Sequence, residues 1–232
     1  MMHSLSEGYR ALVFGASGAI GHAMQQLLQK DPRCAAVIGV SRQTVPGLDL
    51  LDELRIQSCA QALAEQGPFH LVLDATGALT LDGRGPEKRL DELDADHLLR
   101  SMHLNAVGPA LLLKHFSPLL ALGERVIWAK LSARVGSIED NRKGGWYGYR
   151  AAKSALNMFL QTAAIELVRR RPLAVVAALQ PGTVRSVLSQ PFVGDDAMHP
   201  EDAARRLLAV LDTVQATGRA QFLDHQGQHI PW

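Results

Sequence analysis

Residues 9–21 read Tyr-Arg-Ala-Leu-Val-Phe-Gly-Ala-Ser-Gly-Ala-Ile-Gly. The first six are typical of a buried strand, and a helical pattern with Ala23, Met24, Leu27 and Leu28 follows the glycines. This order suits a dinucleotide pyrophosphate, because glycines let the backbone come close and the helix N-terminus offers free N–H groups. The expected contacts in the turn are Gly15, Ser17, Gly18, Ala19, Ile20 and Gly21.

The identity of the dinucleotide is read at the end of the second strand, expected at residues 35–40. An NAD-preferring site usually places Asp or Glu there to bond the ribose 2′-hydroxyl. This chain has Ser41 and Arg42 instead. A hydroxyl beside a guanidinium suits a 2′-phosphate, which favours NADP and leaves NAD as the alternative. Arg42 could also stack on the adenine or face solvent.

The rest of the chain alternates strands with helices. Further strands are expected at residues 48–50, 69–73, 125–129, 173–179 and 220–223. Helices are expected at residues 56–65, 88–99, 101–120, 149–169 and 200–214. This alternation predicts an α/β fold in a single domain over residues 1–232, a Rossmann-type doubly wound parallel sheet of about seven strands with helices on both faces.

A second informative stretch is residues 146–153, Trp-Tyr-Gly-Tyr-Arg-Ala-Ala-Lys. It places Tyr149 four residues before Lys153, on one face of a helix. An ordinary tyrosine has a pKa near ~10, and a neighbouring lysine charge lowers the pKa by favouring the phenolate. The pair could then give a proton to an oxygen atom or take one. The alternative is a structural tyrosine beside a solvated lysine.

The helix expected at residues 101–120 contains Asn105 and Pro109. A proline inside a helix removes one hydrogen bond and crowds the carbonyl four residues back. That carbonyl belongs to Asn105, so we expect it to be free for water or a side chain. A plain kink with Asn105 bonded locally is the alternative.

Composition excludes several other classes of protein. The chain is 47% hydrophobic with a net charge of +1, and its basic run, residues 169–171, suits a helix end, so no nucleic-acid partner is expected. Cys34 and Cys59 fit no metal spacing, and we expect no metal. No signal peptide is visible, and the most apolar stretch, residues 106–122, is interrupted by prolines and charges. We therefore expect a cytoplasmic protein without a membrane partner.

Together these residues resemble the short-chain dehydrogenase/reductase family over nearly the whole chain. The landmarks come in the family's order: the glycine turn, Asn105, the region of Ser132 before Tyr149 and Lys153, and Pro181-Gly182. Within the family, Ser-Ala-Arg-Val-Gly-Ser-Ile at residues 132–138, Gly-Gly-Trp-Tyr at 144–147 and the ending Ile-Pro-Trp resemble the C-factor-like branch.

The resemblance implies hydride transfer between NADP(H) and a carbonyl compound or secondary alcohol. Tyr149 would be the general acid in reduction, and Lys153 would lower its pKa and bond the nicotinamide ribose. A serine hydroxyl would orient the substrate oxygen, and Asn105 would hold a water that relays protons. The remaining implied cofactor contacts are Asp49, Ala75, Thr76 and Gly77 on the adenosine side, and Pro181, Gly182, Thr183 and Val184 at the nicotinamide end.

The chain departs from the family pattern in three places. Ala19 stands where the middle glycine of the turn is usual, and Asp74-Ala75-Thr76-Gly77 replaces Asn-Asn-Ala-Gly. The catalytic serine usually lies three residues before Gly136, where this chain has Ala133. Ser132, one residue earlier, is our preferred catalytic serine, and Ser137 is the other candidate.

The loop at residues 184–199 lacks clear periodicity, and a loop of this length in a compact domain is usually functional. We expect a substrate lid. Its apolar residues, with Trp146 beside Tyr149, favour a small and fairly apolar substrate: Val187, Leu188, Phe192, Val193 and Met198. Arg134 and Arg185 could instead bind an acidic group, and the sequence leaves both open.

Two further expectations concern partners and the alternative function. The helices at residues 101–120 and 149–169 carry more apolar surface than one sheet face needs, so a homo-oligomer is expected. The displaced serine supports an alternative function, a dinucleotide-binding sensor or signalling protein with little catalysis. The fold by itself does not distinguish the two functions.

Overall fold

A computed structural model describes residues 2–186 and 197–232 of the chain. Its sheet has six strands in the order β2-β1-β3-β4-β5-β6, and every neighbouring pair is parallel. The strands are β1 (Tyr9–Phe14), β2 (Cys34–Val40), β3 (Leu71–Asp74), β4 (Val126–Leu131), β5 (Ala174–Gln180) and β6 (Ala220–Asp224).

Helices cover both faces of this sheet. They are α1 (Ala19–Gln29), α2 (Glu53–Leu63), α3 (Ala95–Met102), α4 (Gly108–Phe116), α5 (Tyr147–Leu167) and α6 (Pro200–Thr213). Side chains of a strand alternate between faces: Phe14 packs with the residues of α2, α4 and α5, whereas Val13 packs with those of α1 and α6. Phe14 meets Phe116 edge to face at 4.7 Å between ring centroids. The predicted α/β, doubly wound parallel fold is confirmed.

The expected strand at residues 48–50 is wrong, and the described part of the sheet has one strand fewer than the predicted seven. Leu48 and Leu50 are buried, which explains the apolar alternation. The stretch packs on a helix, because a Cβ built on Gly108 would lie 2.7 Å from the Leu50 Cβ. The Asp52 side chain then caps α2 by accepting from Leu54 N and Arg55 N.

The helices expected at residues 88–99 and 101–120 are divided differently. Residues 90–92 make only a single 3-10 turn, and the helix begins at α3 because Asp94 caps it by accepting from His97 N at 2.9 Å. There is no break near residue 100. A π-helical turn, His103–Val107, joins α3 to α4, and Gly108 N donates to the His103 carbonyl five residues back. This wider turn precedes Pro109, whose missing N–H disturbs the regular α-helical ladder.

Strands β1 and β3 are neighbours in the sheet, and the chain leaves them toward opposite sides. In an open parallel sheet such a reversal of strand order leaves a crevice at the carboxyl ends of the strands, where ligands bind. The turns at Gly15 and Ala75 follow these two strands directly. The fold therefore brings the predicted glycine turn and the turn after β3 to one place.

Candidate active site

A cavity of about 550 Å³ opens at this crevice. It extends from the glycine turn to the N-terminal part of α5. Most of the predicted site residues line it: Ser17, Gly18, Ala19, Ile20, Gly21, Arg42, Ala75, Thr76, Gly77, Ser132, Tyr149, Lys153 and Pro181. Residues that are far apart in sequence thus share one wall.

The glycine turn packs tightly against the start of α1. Gly15 has φ +75°, and a Cβ on it would lie 2.9 Å from the Ala75 carbonyl carbon, so Gly15 supports the cavity wall from behind. A Cβ on Gly21 would lie 2.3 Å from the Gly15 oxygen, so any residue with a side chain would clash there. Gly18 precedes the helix and carries no side chain to cap it. The first N–H groups of α1, around Ala19, are therefore left for an anion such as a pyrophosphate.

Three residues after β2 were predicted to contact the cofactor, and they lie in different surroundings. Arg42 lines the cavity. Ser41 is buried, and its hydroxyl accepts from Gln43 N at 3.2 Å, so it shapes the turn. Asp49 lies outside the described cavity wall, and its carboxylate accepts from Leu51 N at 3.0 Å. The direct cofactor contacts expected of Ser41 and Asp49 stay predictions.

Tyr149 and Lys153 lie on one face of α5, as their spacing predicted. The Lys153 ammonium is 5.5 Å from the centroid of the Tyr149 ring, and it donates to the Leu131 carbonyl at 3.1 Å. Trp146 meets Tyr149 edge to face at 6.3 Å between centroids. The pair therefore stands at the end of β4, where the cavity wall is formed.

The expectation that Lys153 lowers the Tyr149 pKa is wrong for the protein by itself. Part of Tyr149 reaches the cavity surface, but the enclosure of its phenol raises its pKa above the ordinary value. Burial also lowers the pKa of Lys153 well below the ordinary value, repulsion from Lys130 lowers it further, and Asp74 opposes the change. Desolvation disfavours the charged form of both groups.

Ser132 lines the cavity and Ser137 does not, within the described chain. The Ser132 hydroxyl is 2.7 Å from the side-chain oxygen of Asn157. Ser137 is used structurally, since its hydroxyl accepts from Asp140 N at 3.0 Å and donates to the Trp232 carbonyl at 3.4 Å. The backbone beyond β4 thus turns the displaced serine toward the cavity.

Asn105 is fully buried in the π-helical turn, behind the cavity wall. Its side-chain oxygen accepts from Ala78 N at 3.0 Å, and its amide donates to the carbonyls of Ala78 at 2.9 Å and Ser101 at 3.1 Å. A Cβ on Gly77 would lie 3.0 Å from the Asn105 oxygen and 3.6 Å from the Lys153 nitrogen. Asn105 therefore fixes the turn that borders Lys153.

An ion pair that the sequence analysis missed lies beside this turn. Asp74 and Lys130 are register partners at the ends of β3 and β4, and their side chains meet at 2.9 Å. The Lys130 ammonium also donates to the Thr76 carbonyl at 2.6 Å and to its hydroxyl at 3.0 Å. Both charged side chains are buried. Lys130, a charged residue directly after the apolar run that ends at Ala129, was the feature of the sequence that could have indicated this pair.

A second missed contact fixes the start of α5. Gly148 N donates to the carboxylate of Glu87 at 3.0 Å, and Trp146 N donates to the Glu87 carbonyl. Trp146 has the left-handed φ of 55°, which is uncommon for a residue with a side chain. Glu87 is buried, and it lies 61 residues before Gly148 in the sequence. Its bonds to the first turn of α5 fix the direction of that helix.

The predicted nicotinamide end is only partly described. Pro181 lines the cavity, whereas Gly182, Thr183 and Val184 lie outside its described wall. Thr183 and Val184 pair with Met198 across the loop. The other apolar lid residues, Val187, Leu188, Phe192 and Val193, lie outside the described residues.

Other residues of the wall were not predicted: Ala78, Leu79, Thr80, Leu131 and Ser186. The two arginines considered for an acidic substrate are already engaged. Arg134 contacts Asp140 at 3.4 Å and Asp224 at 3.6 Å, and Arg185 donates to the Ala197 carbonyl at 3.0 Å.

A family model described as enoyl-(acyl carrier protein) reductase matches residues 14–222. That range includes the glycine turn, the serine, the tyrosine and lysine of α5, and Pro181-Gly182.

The chain belongs to the short-chain dehydrogenase/reductase family.

Characterised relatives agree with this placement. The 1-hydroxy-2-glutathionyl-2-methyl-3-butene dehydrogenase of Rhodococcus sp. (strain AD45) is 29% identical over 234 residues, covering 95% of this chain and 98% of that protein. The C-signal of Myxococcus xanthus is 32% identical over 144 residues, covering 62% of this chain and 83% of that protein. The second match agrees with the C-factor-like pattern in the sequence.

Solved structures share the short-chain dehydrogenase/reductase fold. An NADPH-bound carbonyl reductase from chicken fatty liver superposes with a TM-score of 0.84 at 19% identity, covering 99% of this chain and 97% of that chain. A short-chain dehydrogenase/reductase structure from Burkholderia multivorans with bound NADP superposes with a TM-score of 0.81 at 24% identity. The match covers 97% of this chain and 99% of that chain.

Neither a membrane-spanning helix nor a cluster of metal ligands is found among residues 2–186 and 197–232. No helix in them is long and apolar enough to cross a bilayer. The same residues contain no group of His, Cys, Asp and Glu that could hold a metal ion.

The pKa of Tyr149 can be tested in this short-chain dehydrogenase/reductase without a substrate. Because burial raises that pKa, Tyr149 should stay protonated at pH ~10, where an ordinary tyrosine is half ionised. The measurement is the phenolate absorbance of the cofactor-free protein during an alkaline titration, minus that of Tyr149→Phe. Half-ionisation of Tyr149 at or below pH ~10 would show that the lysine charge dominates instead.

Proposed function

We propose that the protein is an NADP(H)-dependent oxidoreductase that interconverts a carbonyl compound and a secondary alcohol. The observation that carries the proposal is the placement of Ser132, Tyr149 and Lys153 in the same cavity as the glycine turn and Arg42. A phenol, a hydroxyl and a lysine amine thus lie together in a cavity whose other part suits a dinucleotide. The family membership supports the same class of reaction.

The described residues fit NADP(H). The N–H groups at the start of α1 would hold the pyrophosphate, and Arg42 would pair with the 2′-phosphate. Lys153 would hold the ribose next to the nicotinamide, and the turn at Thr76 and Gly77 would line the adenosine. When bound, the cofactor supplies or accepts the hydride at the carbon of the substrate. The NADP and NADPH named for the related structures support the choice of cofactor.

Tyr149 acts as the general acid in reduction. Its phenol is protonated at neutral pH, as that of an ordinary tyrosine is, so a proton is present as negative charge develops on the substrate oxygen. As the proton leaves, the growing negative charge on the phenol favours the protonated form of Lys153, which burial disfavours in the protein by itself. The Ser132 hydroxyl orients the same oxygen and stabilises its developing charge. Asn105 keeps the turn beside Lys153 in place.

The residues of the cavity wall are compatible with more than one class of substrate. The Rhodococcus relative is named for an alcohol that carries a glutathionyl group, which is large and polar. Trp146 beside Tyr149 and Leu79 in the cavity wall instead suit a small, fairly apolar carbonyl compound. A substrate panel should therefore include simple aromatic aldehydes and ketones together with glutathionyl alcohols.

A second candidate function is a dinucleotide-binding signalling protein with little turnover. Two observations favour it: the Ser132 hydroxyl is held by Asn157, and the chain resembles C-signal over 144 residues. Tight NADPH binding with no turnover across the substrate panel would support this candidate against the oxidoreductase.

We also propose a homo-oligomer formed through α4 and α5. Apolar side chains on α5 face solvent, with Met158 65% exposed, Phe159 41% and Ile165 45%. Phe159 lines a groove between α5 and α4 with Leu113 and Ala163. Exposed apolar side chains on α5, next to a groove shared with α4, suit a second copy of the same surface.

Replacing Tyr149 by Phe removes the proton donor and little else. The Tyr149→Phe variant should lose carbonyl reduction by a factor of about 100 or more while NADPH affinity stays within about twofold. Steady-state NADPH oxidation and fluorescence titration measure the two quantities. Tyr147→Phe, two residues earlier in α5, is the matched control and should stay active. Near wild-type turnover in Tyr149→Phe would overturn the mechanism.

Cofactor selection is tested by NADPH and NADH titrations of Arg42→Ala. Loss of a charged hydrogen-bond partner for the 2′-phosphate should weaken NADPH binding by about 10- to 100-fold and leave NADH binding almost unchanged. Arg205→Ala, an exposed arginine on α6, is the control. Equal weakening of both cofactors, or tighter NADH binding by the unaltered protein, would contradict the NADP assignment.

The oligomer is tested by sedimentation velocity. Phe159→Glu places a charge in the proposed contact and should convert the assembly to monomers at micromolar concentration. Leu54→Glu changes a side chain that is 72% exposed on α2 and should leave the assembly intact. A monomeric unaltered protein would reject the oligomer.

A further inference from the structure

Helix α5 carries a third polar residue in line with the proposed catalytic pair. Tyr149, Lys153 and Asn157 follow one another at four-residue steps, so their side chains share one helix face. Asn157 is only 4% exposed. In the proposed reaction Tyr149 and Lys153 have roles, and Asn157 has none.

The partner of Asn157 is the proposed catalytic serine. The Ser132 hydroxyl lies 2.7 Å from the side-chain oxygen of Asn157 and donates its proton to that oxygen. In this arrangement the proton is directed at Asn157 and is unavailable to a substrate oxygen in the cavity. The Asn157 side-chain nitrogen is buried and has no hydrogen-bond partner among the described residues.

A half-turn of the Asn157 amide exchanges its oxygen and nitrogen without moving another side chain. The nitrogen then lies in the position 2.7 Å from the Ser132 oxygen and becomes the donor. An unpaired buried oxygen takes the place of an unpaired buried N–H group, which proteins tolerate better. Ser132 now accepts one hydrogen bond from Asn157, and its own proton is free to point into the cavity.

We propose that Asn157 is a positioning residue, whose side-chain amide donates to Ser132 and so directs the Ser132 hydroxyl proton toward the substrate oxygen. The inference rests on the proposed function. Ser132 stands one residue earlier than in the family pattern, and its contact with Asn157 ties its direction to α5.

The direction of this hydrogen bond can be measured by NMR in the full chain without a substrate. The sequence has only three asparagines, Asn105, Asn141 and Asn157, so asparagine-labelled protein gives three side-chain amide signals. Asn157→Asp identifies the relevant signal by deleting it. That signal should show one strongly bonded proton, which Ser132→Ala moves to the position of an unbonded amide. Ser137→Ala is the matched control and should leave it unchanged.

An Asn157 amide signal that Ser132→Ala leaves in place would overturn the proposal, because the nitrogen would then not be the donor. This result would leave the oxidoreductase function standing. Conversely, absence of turnover across the substrate panel would reject the proposed function, while the NMR result would still decide the direction of the hydrogen bond.

Kinetics with NADPH and an aromatic aldehyde give the second measurement. Asn157→Asp presents a carboxylate that only accepts, so it captures the serine proton; kcat should fall about 100-fold, as in Ser132→Ala, while the KM for NADPH stays within about twofold. Combining the two changes should cause no further loss, because both remove the same donor. Unchanged kcat in Asn157→Asp, or losses that multiply in the double variant, would overturn the proposal.

Discussion

The buried ion pair between Asp74 and Lys130 links the ends of two neighbouring parallel strands at the edge of the sheet where the cavity opens. Burying one of these charges alone would be costly, and each makes the other tolerable. Through its bonds to Thr76, Lys130 also holds the turn that forms the cavity wall. Asn105 holds the next residues of the same turn from behind. The wall therefore depends on a buried charge pair between two neighbouring strands.

The same pair sets the electrostatics of the catalytic helix. Lys153 shares the neighbourhood of Asp74 with Lys130, and repulsion between the two lysines adds to the effect of burial in lowering the Lys153 pKa. Burial acts oppositely on Tyr149 and raises its pKa. In the protein without cofactor, burial therefore disfavours loss of the phenol proton, so proton donation needs a change in this environment when cofactor and substrate bind. Any gain in phenolate character must come from changes during binding or reaction.

Helix α5 acts as one rigid support for the chemistry. The buried Glu87 fixes its first turn, Lys153 reaches the end of β4, and Asn157 meets Ser132 one turn later. A substrate oxygen near Tyr149 would therefore face groups held by two adjoining elements. Such pre-organisation lowers the cost of assembling donors around a developing charge.

The sequence by itself determined the features that depend on local spacing: the strand and glycine turn at residues 9–21, the four-residue step from Tyr149 to Lys153, and the alternation that makes a doubly wound sheet. Only the tertiary structure decided the choice of Ser132 over Ser137 as the cavity residue, the packing role of residues 48–50 and the sign of the Tyr149 pKa change. Each of these depends on burial or on partners 25 or more residues away, such as Asn157 for Ser132 and Lys130 for Asp74. Parallel crossovers bring such residues together, and a linear pattern carries no record of that proximity.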